Sequence, residues 1–77
     1  MAIEHFEKVL LAMLNRRPFK PFTVELHGGQ RFEIDHPEAT VLRQGVAIFL
    51  APGFVPIYFY HEGVVQIIDS PASYPKG

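Results

Sequence analysis

The stretch from Phe22 to Asp35 constrains the fold more than any other part of the chain. Phe22-Thr23-Val24-Glu25-Leu26 and Arg31-Phe32-Glu33-Ile34-Asp35 each alternate apolar and polar residues, and His27-Gly28-Gly29-Gln30 lies between them. A period of two marks a half-buried strand, so the stretch predicts a β-hairpin. Side-chain faces then choose its register. A Gly28-Gly29 loop would pair Leu26 with Arg31 and Val24 with Glu33, placing charges beside apolar residues. A slip of one residue exchanges the two faces of a strand. With His27-Gly28-Gly29 as the loop, Leu26 pairs with Gln30, Val24 with Phe32 and Phe22 with Ile34. Phe22, Val24, Phe32 and Ile34 then share an apolar face. Thr23, Glu25, Arg31 and Glu33 share the wet face, with Glu25 and Arg31 close enough to attract. Such loops are commonly a type I turn followed by a left-handed residue, which Gly29 supplies without steric cost. In that geometry Gly29→Val costs more stability than Gly28→Ala.

Ahead of the hairpin, Ile3 to Asn15 reads as a helix. Ile3, Phe6, Leu10, Met13 and Leu14 form one stripe, with Val9 at its border and Leu11 away from it. Glu4 and Lys8 sit four apart in the favourable order. Arg16 and Arg17 follow where cations suit the helix dipole, and Pro18 stops the helix. Pro18-Phe19-Lys20-Pro21 is a rigid connector in which Phe19 anchors the helix. After the hairpin, Asp35-His36-Pro37-Glu38 turns. Thr40 to Arg43, Val46 to Leu50, Val55 to His61 and Val64 to Ile68 are extended segments, separated by Gln44-Gly45, Ala51-Pro52-Gly53 and Glu62-Gly63. Pro56 stands near the start of its segment, where a strand tolerates proline. The fold class predicted is mainly β, with an N-terminal α-helix and a five-stranded, strongly bent antiparallel sheet or barrel. Residues 1–68 form this single domain and 69–77 a flexible C-terminal tail.

Composition narrows the function classes. With 77 residues, 48% hydrophobic and 19% charged, the chain is one globular domain, not a disordered segment. Domains of this size commonly need disulfides, metals or partner chains. Cysteine is absent, which excludes disulfides and thiolate zinc sites and leaves self-association. Residues 1–8 lack the basic start and apolar run of a signal peptide, and no apolar stretch approaches the ~18 residues of a membrane span. Cytoplasmic residence is the resulting expectation. The net charge of −1 exerts no overall pull toward nucleic acid.

Two segments point to a surface. In Ile57-Tyr58-Phe59-Tyr60, successive side chains project to opposite sides, so both sides carry large apolar bodies. The same is true of Val46 to Leu50. A contiguous exposed apolar patch marks an interface. These segments therefore predict a homo-oligomer joined through Val46, Ile48, Leu50, Ile57, Tyr58, Phe59 and Tyr60, with a protein partner as the related option.

Two resemblances follow. Pro18-Phe19-Lys20-Pro21-Phe22, a hairpin turning at Gly28-Gly29 and the His36-Pro37-Glu38 turn resemble a family of short uncharacterised bacterial proteins, over most of the chain. That resemblance implies no activity. A helix before bent strands also resembles, in order and length, the Sm-like barrel, which builds rings by pairing strands across subunits. An SH3-like barrel fits the strand count nearly as well. Phe59-Tyr60-His61 is similar, at its histidine, to the Tyr-Lys-His stretch of the bacterial Sm-like RNA chaperone. An RNA-binding ring is the alternative that this resemblance implies.

Chemistry-bearing residues are sparse. A metal needs several ligands converging at about 2 Å, and His5, His27, His36 and His61 show no ligand spacing. Asp35, His36 and Glu38 would need His61 beside them to make even a weak site. Serine occurs only at Ser70 and Ser73, and no nucleophile–base pair or carboxylate pair is evident. No enzyme activity, metal or cofactor is predicted. For nucleic acid, Arg16, Arg17 and Lys20, with Arg31 as a further member, form a basic patch, Phe19 or Tyr60 would stack on bases, and His61 joins the set. Pro18-Phe19-Lys20-Pro21 has the form of a Pro-x-x-Pro ligand, but such ligands sit in disordered tails and here the segment is a linker. The sequence reading is a non-enzymatic, self-assembling interaction module.

Overall fold

A computed structural model describes residues 1–70. Helix α1 (Ile3–Leu14) is followed by β1 (Phe22–Leu26), β2 (Arg31–Ile34), β3 (Thr40–Arg43), β4 (Val46–Ala51), β5 (Val55–Tyr60) and β6 (Val64–Ile68). Single 3₁₀ turns at Pro37–Ala39 and His61–Gly63 lead into β3 and β6. The class is mainly β, as predicted, but the architecture differs. Six strands form two antiparallel sheets, ordered β2-β1-β6 and β3-β4-β5, and among the described residues they do not close into a five-stranded barrel. Each of the six extended segments makes its own strand, separated from the next by a turn, so the count is six and not the five predicted. Closure fails because β2 and β3 are joined through the Pro37–Ala39 turn and are not hydrogen-bonded to each other.

The hairpin register is as predicted: Phe22 pairs with Ile34, Val24 with Phe32 and Glu25 with Arg31. Leu26 N donates to Gln30 O at 2.8 Å, closing the three-residue loop. Arg31 and Glu25 lie 3.6 Å apart on the wet face. The turn itself differs from expectation. Gly28 and Gly29 both take positive φ, +98° and +88°, and Gly29 N donates to Leu26 O. A left-handed residue at the third position of the turn is the type II pattern, not type I. Both glycines are therefore conformationally required, and the backbone no longer ranks Gly29 above Gly28.

Phe6, Leu10 and Leu14 form the buried line of α1, while Leu11 is exposed. Phe59 is the centre of the core. It meets Phe6 of the helix edge-on at 6.1 Å and Phe32 of the other sheet at 5.1 Å. Phe32 in turn stacks on Phe49 at 6.1 Å. Phe19 packs against this core and lies edge-on to Phe22 at 6.2 Å, which is the anchoring role its connector implies.

A second set of contacts fixes the helix to the distant turns. Gly45 N donates to Glu7 Oε2 at 2.6 Å. The Met1 ammonium donates to His61 O at 2.8 Å and Val64 O at 2.9 Å. Asp69 and Ser70 belong to the segment predicted to be mobile, yet Asp69 pairs with Arg16 and Ser70 O accepts from Thr23 Oγ1 at 2.9 Å. The remainder of that predicted tail, 71–77, lies outside the described residues.

Candidate interface surface

The β3-β4-β5 sheet has one face in the core and one in solvent. Residues directly opposed across strands share a face. Val41 opposes Ile48, which opposes Tyr58; Arg43 opposes Val46, which opposes Tyr60; Leu50 opposes Pro56. All of these point outward. Tyr58 is 67% exposed and Val41 64%, and Val46, Ile48, Leu50 and Tyr60 are also exposed. The result is a continuous apolar surface across three strands, with Arg43 as its one formal charge. Between these residues, Ala47, Phe49 and Phe59 turn inward and are buried.

The predicted interface set therefore divides. Val46, Ile48, Leu50, Tyr58 and Tyr60 are brought together on the outward face. Phe59 is buried in the core at 1% exposure, and Ile57 packs against that core, so neither is available to a partner. Alternation separates them, and a strand that is apolar at every position hides which parity faces in. Val41 belongs to the surface although it is absent from the predicted set. Its signal is the Gln44-Gly45 turn, which fixes the β3–β4 register and sets Val41 against Ile48. Phe54 is the other addition. It is 84% exposed at φ +61°, a conformation uncommon for a bulky residue, and it stands at the Leu50 end of the face. A cleft of about 350 Å³ beside it is lined by Asp35, His36, Leu50 and Pro52.

Of the predicted nucleic-acid residues, Arg16, Arg17 and His61 make structural contacts through their side chains, and Lys20 does so through its carbonyl. Arg16 pairs with Asp69 and donates to Lys20 O at 2.8 Å. Arg17 donates to Leu14 O at 3.3 Å and Arg16 O at 2.7 Å, satisfying carbonyls left open at the helix end. His61 Nδ1 lies 3.0 Å from Met1 O, at the other end of α1 from Arg16 and Arg17. Asp35 and His36 are 3.0 Å apart in their own turn. Among the described residues no three histidine, aspartate or glutamate side chains gather as a metal site. No helix of the described residues is long and apolar enough to cross a membrane.

Comparison with known protein families, with curated proteins and with solved structures gives no match.

Proposed function

We propose that the protein is a non-enzymatic interaction module that assembles with copies of itself through the β3-β4-β5 sheet. The observation that supports this is the outward face of that sheet. Monomeric domains seldom present contiguous apolar patches beyond a few hundred Å². Here six large apolar side chains across three strands form one. Two such faces supply on the order of 1,000 Å² of total buried surface, the threshold for a specific interface. A ring that binds RNA is the other reading of the sequence, but Arg16 and Arg17 are engaged within the chain and the apolar face is the stronger feature.

The test is solution mass by light scattering at micromolar concentrations, with the 260/280 nm absorbance ratio recorded on the protein as isolated. The expected mass is a multiple of 8.7 kDa, free of nucleic acid. Tyr58→Glu places a charge in the middle of the outward face and is expected to return it to 8.7 kDa with the fold intact. A wild-type monomer throughout overturns the proposal. An oligomer that arrives carrying nucleic acid favours the RNA-binding ring.

A further inference from the structure

Which part of the sheet makes the contact follows from the hydrogen-bond parity of its strands. The β3–β4 turn is a two-residue loop, Gln44-Gly45, with φ +50° and +80°, both positive as a type I′ turn requires. The pair that flanks such a loop, Arg43 and Val46, exchanges backbone bonds. Even-numbered residues of β4 thus bond to β3, and odd-numbered residues bond to β5. On the other side, His61 N donates to Gly45 O at 2.9 Å, which fixes the same parity independently. In β5, residues 55, 57 and 59 spend their backbone groups on β4. Pro56, Tyr58 and Tyr60 aim theirs at the outer edge, where the sheet order places no strand among the described residues. Pro56 fits this parity, since the N–H it lacks would have faced outward.

The outer edge of β5 differs from the other three sheet edges. β2 is four residues long and carries Arg31 and Glu33. β3 is equally short and ends on Arg43. β6 has Val64 O taken by the Met1 ammonium and Asp69 held by Arg16 just beyond its end. Short strands and charges are the usual protection of a sheet edge. β5 has six residues and no charge. Beside it runs a groove of about 290 Å³, walled on the far side by Leu26, His27, Gln30 and Gly63.

We propose that two copies pair their β5 strands antiparallel about a two-fold axis at Phe59, joining their sheets into one of six strands. This deepens the self-assembly reading and rests on it, with the contact made at the β5 edge in place of face-to-face packing. It buries the flanks of Tyr58 and Tyr60 and leaves Val41, Ile48 and Leu50 on the outward face of the joined sheet. The edge is self-complementary. With the axis at Phe59, Tyr58 of one copy exchanges backbone bonds with Tyr60 of the other, and the reverse, giving four hydrogen bonds. Proline at 56 ends the ladder there. The side chains agree as well. Across the six strands one outward row becomes Val41, Ile48, Tyr58, then Tyr60, Val46 and Arg43 of the second copy. Each tyrosine gains an aromatic neighbour on its bare flank. The four tyrosines that meet carry about 150–250 Å² each. An edge contact of this size stays in the class below about 1,200 Å², which associates weakly and reversibly.

The test compares Tyr58→Pro with Tyr58→Ala. Both lose the ring, but only proline removes an outward N–H, and neither removes a bond to β4. Sedimentation or light scattering over a concentration series is expected to show the proline variant associating at least tenfold more weakly than the alanine variant. Equal association in the two overturns edge pairing. If Val41→Glu then abolishes assembly, self-assembly stands and the copies pack face to face. A wild-type monomer removes both proposals together. Should Tyr58→Pro not fold, the cysteine-free chain allows a second measurement. Tyr58→Cys and Tyr60→Cys, mixed and oxidised, are expected to give chiefly the mixed disulfide, because like residues lie on the diagonal at about 7–8 Å. A mixed disulfide no more abundant than the two symmetric ones overturns the register.

Discussion

Gly45 shows how much one position without a side chain can carry. It sits at φ +80° in the β3–β4 turn, its N–H is held by Glu7, and a Cβ there would come within 2.7 Å of Ile3 Cδ1 and 2.9 Å of the His61 ring. Three elements, the helix, the turn and the 3₁₀ turn before β6, meet at this point. Left-handed backbone costs an L-residue about 1–2 kcal/mol. Crowding against Ile3 and His61 adds to that, so Gly45→Ala is expected to destabilise by about 2–3 kcal/mol in urea unfolding. A loss below about 0.5 kcal/mol would show that helix and turn move apart freely. The sequence marks Gly45 only as a turn residue. Its neighbours Ile3 and His61 are far away along the chain, and nothing local announces that they converge on it.

At the scale of elements, legibility depended on alternation. In β1 and β2 each polar residue declares a wet face, so loop length, pairing and the Glu25–Arg31 contact all followed from the sequence. Valine, isoleucine, tyrosine and phenylalanine fill β5 except for one proline, so no residue declares which parity is wet. The sequence identified this strand as unusual and left Phe59 and Tyr58 undistinguished. Their energetic roles are expected to be far apart. Phe59→Ala removes the ring that joins α1 to both sheets and is expected to cost about 3–5 kcal/mol, enough to unfold a domain of this size. Tyr58→Ala, measured below the concentration of assembly, is expected to cost less than about 1 kcal/mol. Similar losses in denaturant titrations would contradict the assignment of faces. The turn type at Gly28-Gly29 was illegible for another reason, since glycine accepts positive φ at either position.

For the whole molecule, the sequence predicted a sheet-rich domain with an unpaired apolar surface but not its division into two sheets. That division depends on β6 returning to β1, a pairing that no local pattern encodes. It leaves β5 as an edge, and edge and outward face together make stability a matter of mass action. Anything that binds only the folded state raises its apparent stability with concentration. The midpoint Tm of thermal unfolding is therefore expected to rise by several degrees between about 2 and 200 µM protein in wild type and to stay flat in Tyr58→Glu. A concentration-independent wild-type Tm would mean that the sheet carries no partner of its own kind.

The attachment of the first helix to the last strands has a consequence for how the chain acquires its structure. Phe6 rests on Phe59, Glu7 holds Gly45, and the amino group of Met1 is bonded to carbonyls of His61 and Val64. Contacts so widely separated along the sequence require long loops to close before they return any stabilisation, which slows folding. During synthesis Met1 and α1 are made before their partners and must wait for residues 38 to 63 positions later. A chain interrupted before β5 would lack Phe59, His61 and Val64 and leave its amphipathic helix bare for chaperones or proteases to find.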